Sequence, residues 1–447
     1  MALPEHSLLF SLIPQNLAAE TAIENLRDQP VLSVLPDPRG QNGGIRVVCV
    51  RSNPSSASGL EPSFPGHHNG PDQPDGTFRF VLNKRTGEVL LEDFSDGQAF
   101  RFTGQSAIPF PNPPHPRRLM MDCYNNLEFE CLEEPGRWSK WAIFWHQTPP
   151  AHPPRRPAST ILTDDDGSEV YAKYNKTPDS GDDLIRYTDR DWSFASKFGA
   201  PRVVVDIGTG QYLAVRKVSY PFKIEARRSM LERIIRDSKL SHPHIITYFQ
   251  VQETPASIDI LMPVQEGDLL WLMEHYQNPT DNFRRLVNPD EIGQLLLGQM
   301  LLALDYLESK GVIHHKVCPG NILVNLGLGR GENAIFQLSN FEYGGFKGTS
   351  LYANDPCFRA PEACGLTDAR ESPRTDIWGL CATMAYFLDP DFRGFVSSKP
   401  SDDLVGSAVC LASELFLALR GMGEWDANDR PSARQKLEEV FGEDFEG

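Results

Sequence analysis

The sequence predicts a multidomain α+β protein with an all-β N-terminal domain and a mixed C-terminal domain. From about residue 40 to 146, short alternating apolar and polar runs are separated by turn residues, which favours a β-sandwich. Farther along, the run DEIGQLLLGQMLLALDYLESKG places apolar residues three and four apart and ends at a Gly, as in a core helix with a glycine stop. Between these regions, 147–191 combines prolines with acidic clusters, a composition typical of a linker. At 447 residues, the chain is long enough for two domains.

Composition narrows the classes of partner. A formal net charge of -17 disfavours nucleic acids and anionic membranes, which bind clustered Lys and Arg. The closest pair of the eight cysteines, Cys357 and Cys364, does not have a usual zinc spacing. The run Leu8 to Ile13 lacks the length and basic flank of a signal peptide. No apolar stretch reaches the roughly 20 residues that span a bilayer. We therefore expect an intracellular protein, cytoplasmic or nuclear, with reduced thiols and protein partners.

The N-terminal region has the pattern of short strands. NLAAETAIENL predicts a helix and GIRVVCVR a strand, and the Pro- and Gly-rich residues 52–77 predict a surface loop. Two alternating runs, Phe78 to Asn83 and Val89 to Glu92, flank Thr86-Gly87 and predict a hairpin. LMMDCY, LEFECL and KWAIFWH predict further strands.

The stretch from Val312 to Glu362 carries the most specific motifs. It contains VIHHKVCPGNILV, then SNFEYGG, then Ala360-Pro361-Glu362. This order and spacing resemble the catalytic loop, the Asp-Phe-Gly motif and the Ala-Pro-Glu motif of protein kinases. The resemblance implies a bilobal kinase-like domain over 192–447, with a β-rich N-lobe (192–264) and an α-helical C-lobe (265–447).

The positions that carry catalysis in that family are changed. Lys316 stands at the place of the Asp that accepts the substrate proton, and Asn340 at the place of the Asp that binds Mg²⁺. Asn321 keeps the second magnesium-ligand place. Cys318 replaces the Lys that contacts the transferred phosphate, and His315 replaces the Arg that reads activation-loop phosphorylation. The resemblance therefore predicts the fold together with weakened Mg²⁺ binding and weakened catalysis.

The N-lobe is also altered. By spacing, Phe194, Ser196 and Gly199 fall at the three places of the glycine-rich loop that covers the ATP phosphates. Arg216 stands at the place of the phosphate-pairing Lys. Arg233 takes the place of that Lys's Glu partner, with Glu232 beside it. Two interpretations of Glu232 stay open. It forms an ion pair with Arg216, or it lies on a solvated face of the helix.

The remaining family positions divide into nucleotide contacts and structural contacts. Met262 corresponds to the gatekeeper, the N–H of Gln265 to an adenine contact, and Asp268 to a ribose contact or a helix cap. The resemblance assigns structural roles to four residues. His314 packs in the core, Glu362 pairs with Arg430, and Asp376 accepts backbone N–H groups of the catalytic loop.

The N-terminal region, 1–146, has its own resemblance. LN-x-x-TGEVLLxDxS-x-G resembles the phosphothreonine-binding forkhead-associated domain, notably fungal examples that precede a kinase. Such domains bind phosphate through an Arg and a Ser on earlier loops, where this chain has GPDQPDGT. Phosphopeptide recognition and a β-sandwich used for docking or stability both stay open.

The motifs and the two resemblances lead to three alternative hypotheses for the function. The first is a pseudokinase that acts as a signalling scaffold or allosteric regulator, with residual ATP binding and another kinase or a phosphoprotein as partner. The second is an active serine/threonine kinase with relocated residues, for which Glu342 is the candidate carboxylate. Thr349, Ser350 and Tyr352 are candidate phosphosites of the activation segment, but the Arg that reads such sites in the family is replaced by His315. The third is an adaptor that reads only phosphothreonine. Phosphate transfer and Mg²⁺-dependent ATP binding distinguish the first two.

Overall fold

The computed structural model describes residues 8–25, 32–36, 46–51, 63–64, 78–82, 88–94, 100–105, 107, 117–121, 127–145, 185–189, 201–219, 224–253, 257–277, 289–326, 334–341, 358–398 and 400–442. These residues group into two compact units. The first takes those within Met1–Arg155, Asp179–Asp191 and Val203–Leu213. The second takes those within Arg156–Pro178, Trp192–Arg202 and Ala214–Gly447.

The N-terminal part of the first unit consists of two antiparallel sheets and one helix. One sheet has the strand order β2-β3-β1-β10-β9-β7, and the other β4-β5-β6-β8. The elements are β1 (Leu8–Pro14), α1 (Leu17–Asn25), β2 (Leu32–Pro36), β3 (Arg46–Arg51), β4 (Ser63–Phe64), β5 (Phe78–Leu82), β6 (Val89–Asp93), β7 (Phe100–Thr103), β8 (Arg117–Met121), β9 (Glu128–Glu134) and β10 (Arg137–Trp145).

Aromatic side chains from both sheets meet in one hydrophobic core. The ring of Phe78 on β5 lies 4.9 Å from that of Phe100 on β7, and Phe100 stacks on Phe129 of β9 at 5.2 Å. Aromatic rings bury large apolar areas and favour such tilted and stacked pairs. The core also contains Phe10, Leu12, Ala19, Ala22, Phe80, Val89, Leu91, Met121, Cys131, Trp141 and Ile143.

The structure confirms the predicted hairpin, because β5 pairs with β6 in antiparallel register. It also adds a strand that the pattern missed. The apolar run from Leu8 forms β1, which pairs with β10 on one side and with β3 on the other. A run this short does not distinguish a strand from a helix by periodicity, and only the pairing with distant strands shows its place.

The rest of the chain begins with a five-stranded sheet of order β11-β12-β13-β15-β14. Its first strand, β11, lies inside the predicted linker and pairs with β12. A small sheet of order β16-β17-β18 follows, among helices. The elements are β11 (Tyr187–Asp189), β12 (Arg202–Asp206), β13 (Tyr212–Ser219), α2 (Ile224–Asp237), β14 (Gln250–Glu253), β15 (Ser257–Pro263), β16 (Gly267–Asp268), α3 (Leu269–Gln277), α4 (Pro289–Ser309), β17 (Ile322–Asn325), β18 (Ile335–Leu338), α5 (Pro361–Cys364), α6 (Pro373–Leu388), α7 (Pro390–Ser397), α8 (Asp402–Leu415) and α9 (Ala433–Phe441).

Two helix ends in this part match their sequence signals. The predicted glycine stop of α4 is Gly311, whose φ of 66° is readily adopted by glycine. Helix α6 begins with a capping box, in which Ser372 and Thr375 bond each other's backbone N–H groups. Among the described helices, none has both the length and the apolar character needed to cross a membrane.

Candidate functional site

The loop from His314 to Asn321 is held by a buried carboxylate on α6. Asp376 accepts hydrogen bonds from the backbone N–H of His314 at 2.7 Å and from that of His315 at 2.8 Å. Burial raises the pKa of Asp376 to about 7, while the two N–H groups act to lower it. His315 has a φ of 65°, unusual for a residue with a side chain. The carboxylate therefore holds the loop in a sharp turn.

His314 is fully buried and fixed in one neutral form. Its Nδ1 accepts a hydrogen bond from the backbone N–H of Lys316 at 3.1 Å. The ring proton therefore lies on Nε2, which donates to the carbonyl of Ser339 at 2.8 Å. Burial lowers the pKa of His314 to about 3. A neutral ring with both nitrogens engaged is a structural element that joins two loops.

Asn321 and Asn340 face each other through their side-chain amides. Asn321 donates its Nδ2–H to the carbonyl of Lys316 at 2.8 Å, which directs its Oδ1 toward Asn340. The amide Nδ2 of Asn340 donates to that oxygen at 2.5 Å. Since a carbonyl can only accept, the first bond fixes the orientation of both amides. Both residues are buried, and Asn340 has a φ of 73°, which Asn tolerates better than most residues.

Lys316 and Cys318 complete the loop. Lys316 is partly buried, and the segment from His314 to Asn321 contains no Asp or Glu. Cys318 is buried, and this burial raises the pKa of its thiol to about 12. The thiol is therefore neutral and lacks the positive charge with which a Lys at this place would bind a phosphate. The loop presents a cation and neutral groups where acid–base chemistry requires a carboxylate.

Charged pairs of the loop and of α2 lie beside one cavity. His315 Nδ1 lies 2.5 Å from the Glu371 carboxylate. Arg233 lies 3.6 Å from Asp237, whose side chain is buried. His315 and Arg233 border a cavity of about 460 Å³, whose full lining is Ser229, Glu232, Arg233, Arg236, Gly311, Val312, Ile313 and His315. Its charged groups are engaged within the protein.

The structure separates Arg216 and Glu232. Arg216 on β13 is 4% exposed. Glu232 pairs with Arg228 at 3.1 Å, and its side chain is 66% exposed. Of the two sequence readings of Glu232, this geometry matches the solvated helix position.

The end of β15 and the connection that follows it contain three of the predicted nucleotide-contacting residues. Met262 is buried, and the side-chain amide of Gln265 donates to Gln337 at 3.0 Å. Asp268 accepts from the backbone N–H of Trp271 at 2.8 Å, which is the geometry of a cap on α3. Burial raises the pKa of Asp268 to about 6. A Cβ at Gly267 would lie 2.5 Å from the Trp271 ring, so the indole requires glycine there.

A second buried network lies farther along the same unit. The Arg430 guanidinium pairs with Glu362 through two bonds, of 2.7 and 2.9 Å, and neither side chain is exposed. Arg430 also donates to the carbonyls of Glu424, Trp425 and Arg374. Thr375 donates to Glu362 at 2.9 Å. Every charged group of this pair has hydrogen-bond partners.

Several predicted positions lie outside the described residues. They are Phe194, Ser196, Gly199, Glu342, Thr349, Ser350 and Tyr352.

Comparison with known proteins identifies the family. Residues 196–441, more than half of the chain, match the protein kinase domain. The chain belongs to the protein kinase family. It is 32% identical to mouse sperm motility kinase 1 over 204 residues, which is 45% of this chain and 40% of that protein.

Other relatives are also kinases. Identity is 29% with a sucrose non-fermenting protein kinase 1 of Fusarium virguliforme, over 46% of this chain and 27% of that protein. It is 29% with mouse mitogen-activated protein kinase 12, over 46% and 53%. The chain thus spans about half or less of these relatives' lengths. The crystal structure of Rad53 1-466 in complex with AMP-PNP is similar at a TM-score of 0.45 and 17% identity, over 83% of this chain and 86% of that one.

The donor groups that Asn321 and Asn340 supply do not fit a magnesium ion. Mg²⁺ in kinases is held by an Asp carboxylate and an Asn oxygen. Here Asn340 supplies an amide in place of the carboxylate, and its N–H group occupies the Oδ1 of Asn321. A divalent cation at this place would face the positive end of an amide dipole and no carboxylate from either residue.

Sequence reasoning missed Ser339, which connects the segment that carries Asn340 to the loop that runs from His314 to Asn321. Its backbone N–H and its hydroxyl both donate to the carbonyl of Asn321 at 2.9 Å. Its own carbonyl accepts from His314. The only signal was its position directly before Asn340, because backbone hydrogen bonds leave no residue-type pattern.

Proposed function

We propose that this protein kinase family member is a pseudokinase that works through contacts with other proteins. One observation carries the proposal. The two residues at the magnesium places, Asn321 and Asn340, bond each other at 2.5 Å, and Lys316 stands where the family has its catalytic carboxylate. Changing the base and the metal ligand together removes two parts of a site that acts as a unit.

The intact frame of the loop supports a scaffold role. The neutral His314, the Asp376 carboxylate and the Glu362–Arg430 pair keep their hydrogen bonds. These contacts hold the loop in place and take no part in phosphate transfer. A chain that retains this frame keeps a folded surface for binding another kinase or a phosphoprotein, and nucleotide binding would not depend on Mg²⁺.

The N-terminal unit serves as a docking module in this proposal. Its two sheets around one aromatic core agree with a forkhead-associated-like sandwich. The sequence GPDQPDGT, which by the resemblance corresponds to the phosphate-binding region, has no Arg or Ser. We therefore favour docking or stabilisation over phosphothreonine reading.

Thermal-shift titration with ATP, with and without Mg²⁺, tests the nucleotide part. We expect Mg²⁺ to give no additional stabilisation of the unmodified chain. In a Lys316→Asp/Asn340→Asp double variant, Mg²⁺-ATP should stabilise the chain by about 2.7 kcal/mol at 100 times its Kd, because binding to the folded state adds free energy by mass action.

Radiolabelled phosphate transfer tests the catalytic part. The unmodified chain should incorporate no label into itself or into a generic basic substrate. Incorporation by the unmodified chain that Asn321→Ala abolishes would establish the alternative, an active serine/threonine kinase with relocated residues.

A further inference from the structure

An exposed leucine stripe lies on α8 and the turn after it. Leu404, Leu411, Leu415 and Leu417 are 55%, 62%, 67% and 72% exposed. In the described part of the chain, the other large apolar side chains with such exposure are Leu17, Ile235, Ile335 and Leu366, which are scattered. Four half-exposed leucines form a patch on the order of a few hundred Å², the size that marks interaction sites.

The three leucines of α8 share one face of the helix. At 100° per residue, Leu404, Leu411 and Leu415 fall within an arc of about 40°. The side of α8 that lies roughly 80–140° around the helix from the leucines is held in the protein, since Val405, Val409 and Ala412 are buried. A Cβ at Gly406 would lie 2.4 Å from the Trp425 ring, so this contact fixes the rotation of the helix. The leucine stripe therefore faces outward because the other face is occupied.

Acidic residues border the stripe on the side away from the buried face. Asp403 and Glu414 are exposed and lie roughly 60–100° around the helix from the leucines. Residues 400–419 contain no Lys or Arg. A partner that covers the leucines thus meets negative charge along one edge, which disfavours anionic membranes and acidic peptides.

We propose that the leucine stripe of α8 binds an amphipathic helix of a partner protein, with apolar anchors on one face and Lys or Arg beside them. Apolar anchors at helical spacing fit a stripe of leucines with spacings of seven and four residues. Basic side chains next to those anchors pair with Asp403 and Glu414. The proposal is independent of catalysis and of nucleotide binding.

A designed peptide provides the test. It has about 18 residues, long enough to be helical, with Leu on one face, Lys beside the Leu residues and Ala elsewhere. Fluorescence anisotropy with the full chain should show saturable binding that weakens as salt increases. Leu404→Ser/Leu411→Ser should weaken binding at least tenfold, and Leu366→Ser, the matched control outside the stripe, less than twofold.

A charge exchange tests the second half of the proposal. Asp403→Lys/Glu414→Lys should weaken the Lys peptide and favour a peptide with Glu in place of Lys. Equal binding of a scrambled peptide, no saturable binding, or binding unaffected by the leucine changes would overturn the proposal. Self-association that Leu411→Ser abolishes, measured by sedimentation, would overturn it in favour of a second copy as the occupant. Unchanged unfolding temperatures of the variants establish that the helix is intact.

Discussion

Two polar pairs in the same unit show how differently this chain has kept its structural and its chemical positions. Glu362 and Arg430 bury opposite charges with two hydrogen bonds between them. Asn321 and Asn340 bury two neutral amides with one bond between them. The first pair keeps both charges, each satisfied by hydrogen bonds inside the fold. The second lacks the charge that a metal would need, and its amides satisfy each other without a ligand.

The largest expected effect comes from breaking the charged pair. Arg430→Met leaves the Glu362 carboxylate buried without its partner. We therefore expect the free energy of unfolding to fall by about 3–5 kcal/mol. Denaturant titration measures this loss. The matched control is Arg434→Met, whose pair with Asp305 is half exposed on the Arg side and should contribute less than about 1 kcal/mol. Similar losses in both variants would contradict the structural role of the buried pair.

An effect of intermediate size should appear in the pH dependence of the stability to which His314 contributes. Its folded pKa of about 3 lies below the usual unfolded value of about 6.5, so the neutral ring stabilises the fold above pH 6.5. This stabilisation is lost as pH falls toward 3. The advantage of the unmodified chain over His314→Gln should shrink by about 2–3 kcal/mol between pH 7 and pH 4.5. Asp376, whose pKa is raised to about 7, has the opposite effect, because its contribution to stability increases as pH falls.

The difference in stability between the unmodified chain and His314→Gln isolates the contribution of His314, because Asp376 is present in both. Free energies of unfolding at a series of pH values provide the measurement. A difference between the chains that stays constant from pH 7 to pH 4.5 would show that the ring is not held neutral.

The smallest of these effects concerns the amide pair. Asn340→Asp places a carboxylate oxygen against the Oδ1 of Asn321, and we expect a loss of about 1–2 kcal/mol without Mg²⁺. Mg²⁺ should restore stability in this variant and leave the unmodified chain unchanged. Asn340→Ala, which removes the bond without adding charge, is the control and should not respond to Mg²⁺. A response to Mg²⁺ in the unmodified chain would show that the amide pair opens for a metal.

Sequence patterns predicted the elements better than the contacts. The hairpin of β5 and β6 followed from alternation around a turn, and α4 from apolar spacing and a glycine stop, because both signals are local. The strand β1 was missed since its partners, β3 and β10, lie far away in sequence. The partner of Glu232 was left open because a shift of one residue on α2 changes which side chain faces the sheet.

The sequence by itself determined the family resemblance and the loss of carboxylates at 316 and 340, because motif spacing and residue type are written in the chain. Only the tertiary structure decided what replaced that chemistry. The closing of Asn340 onto Asn321 depends on the carbonyl of Lys316 and on the hydrogen bonds from the Ser339 backbone N–H and hydroxyl to the carbonyl of Asn321. The outward turn of the leucines on α8 likewise depends on Trp425 packing against Gly406. Hydrogen-bond direction and helix rotation arise from groups that meet only in the folded chain.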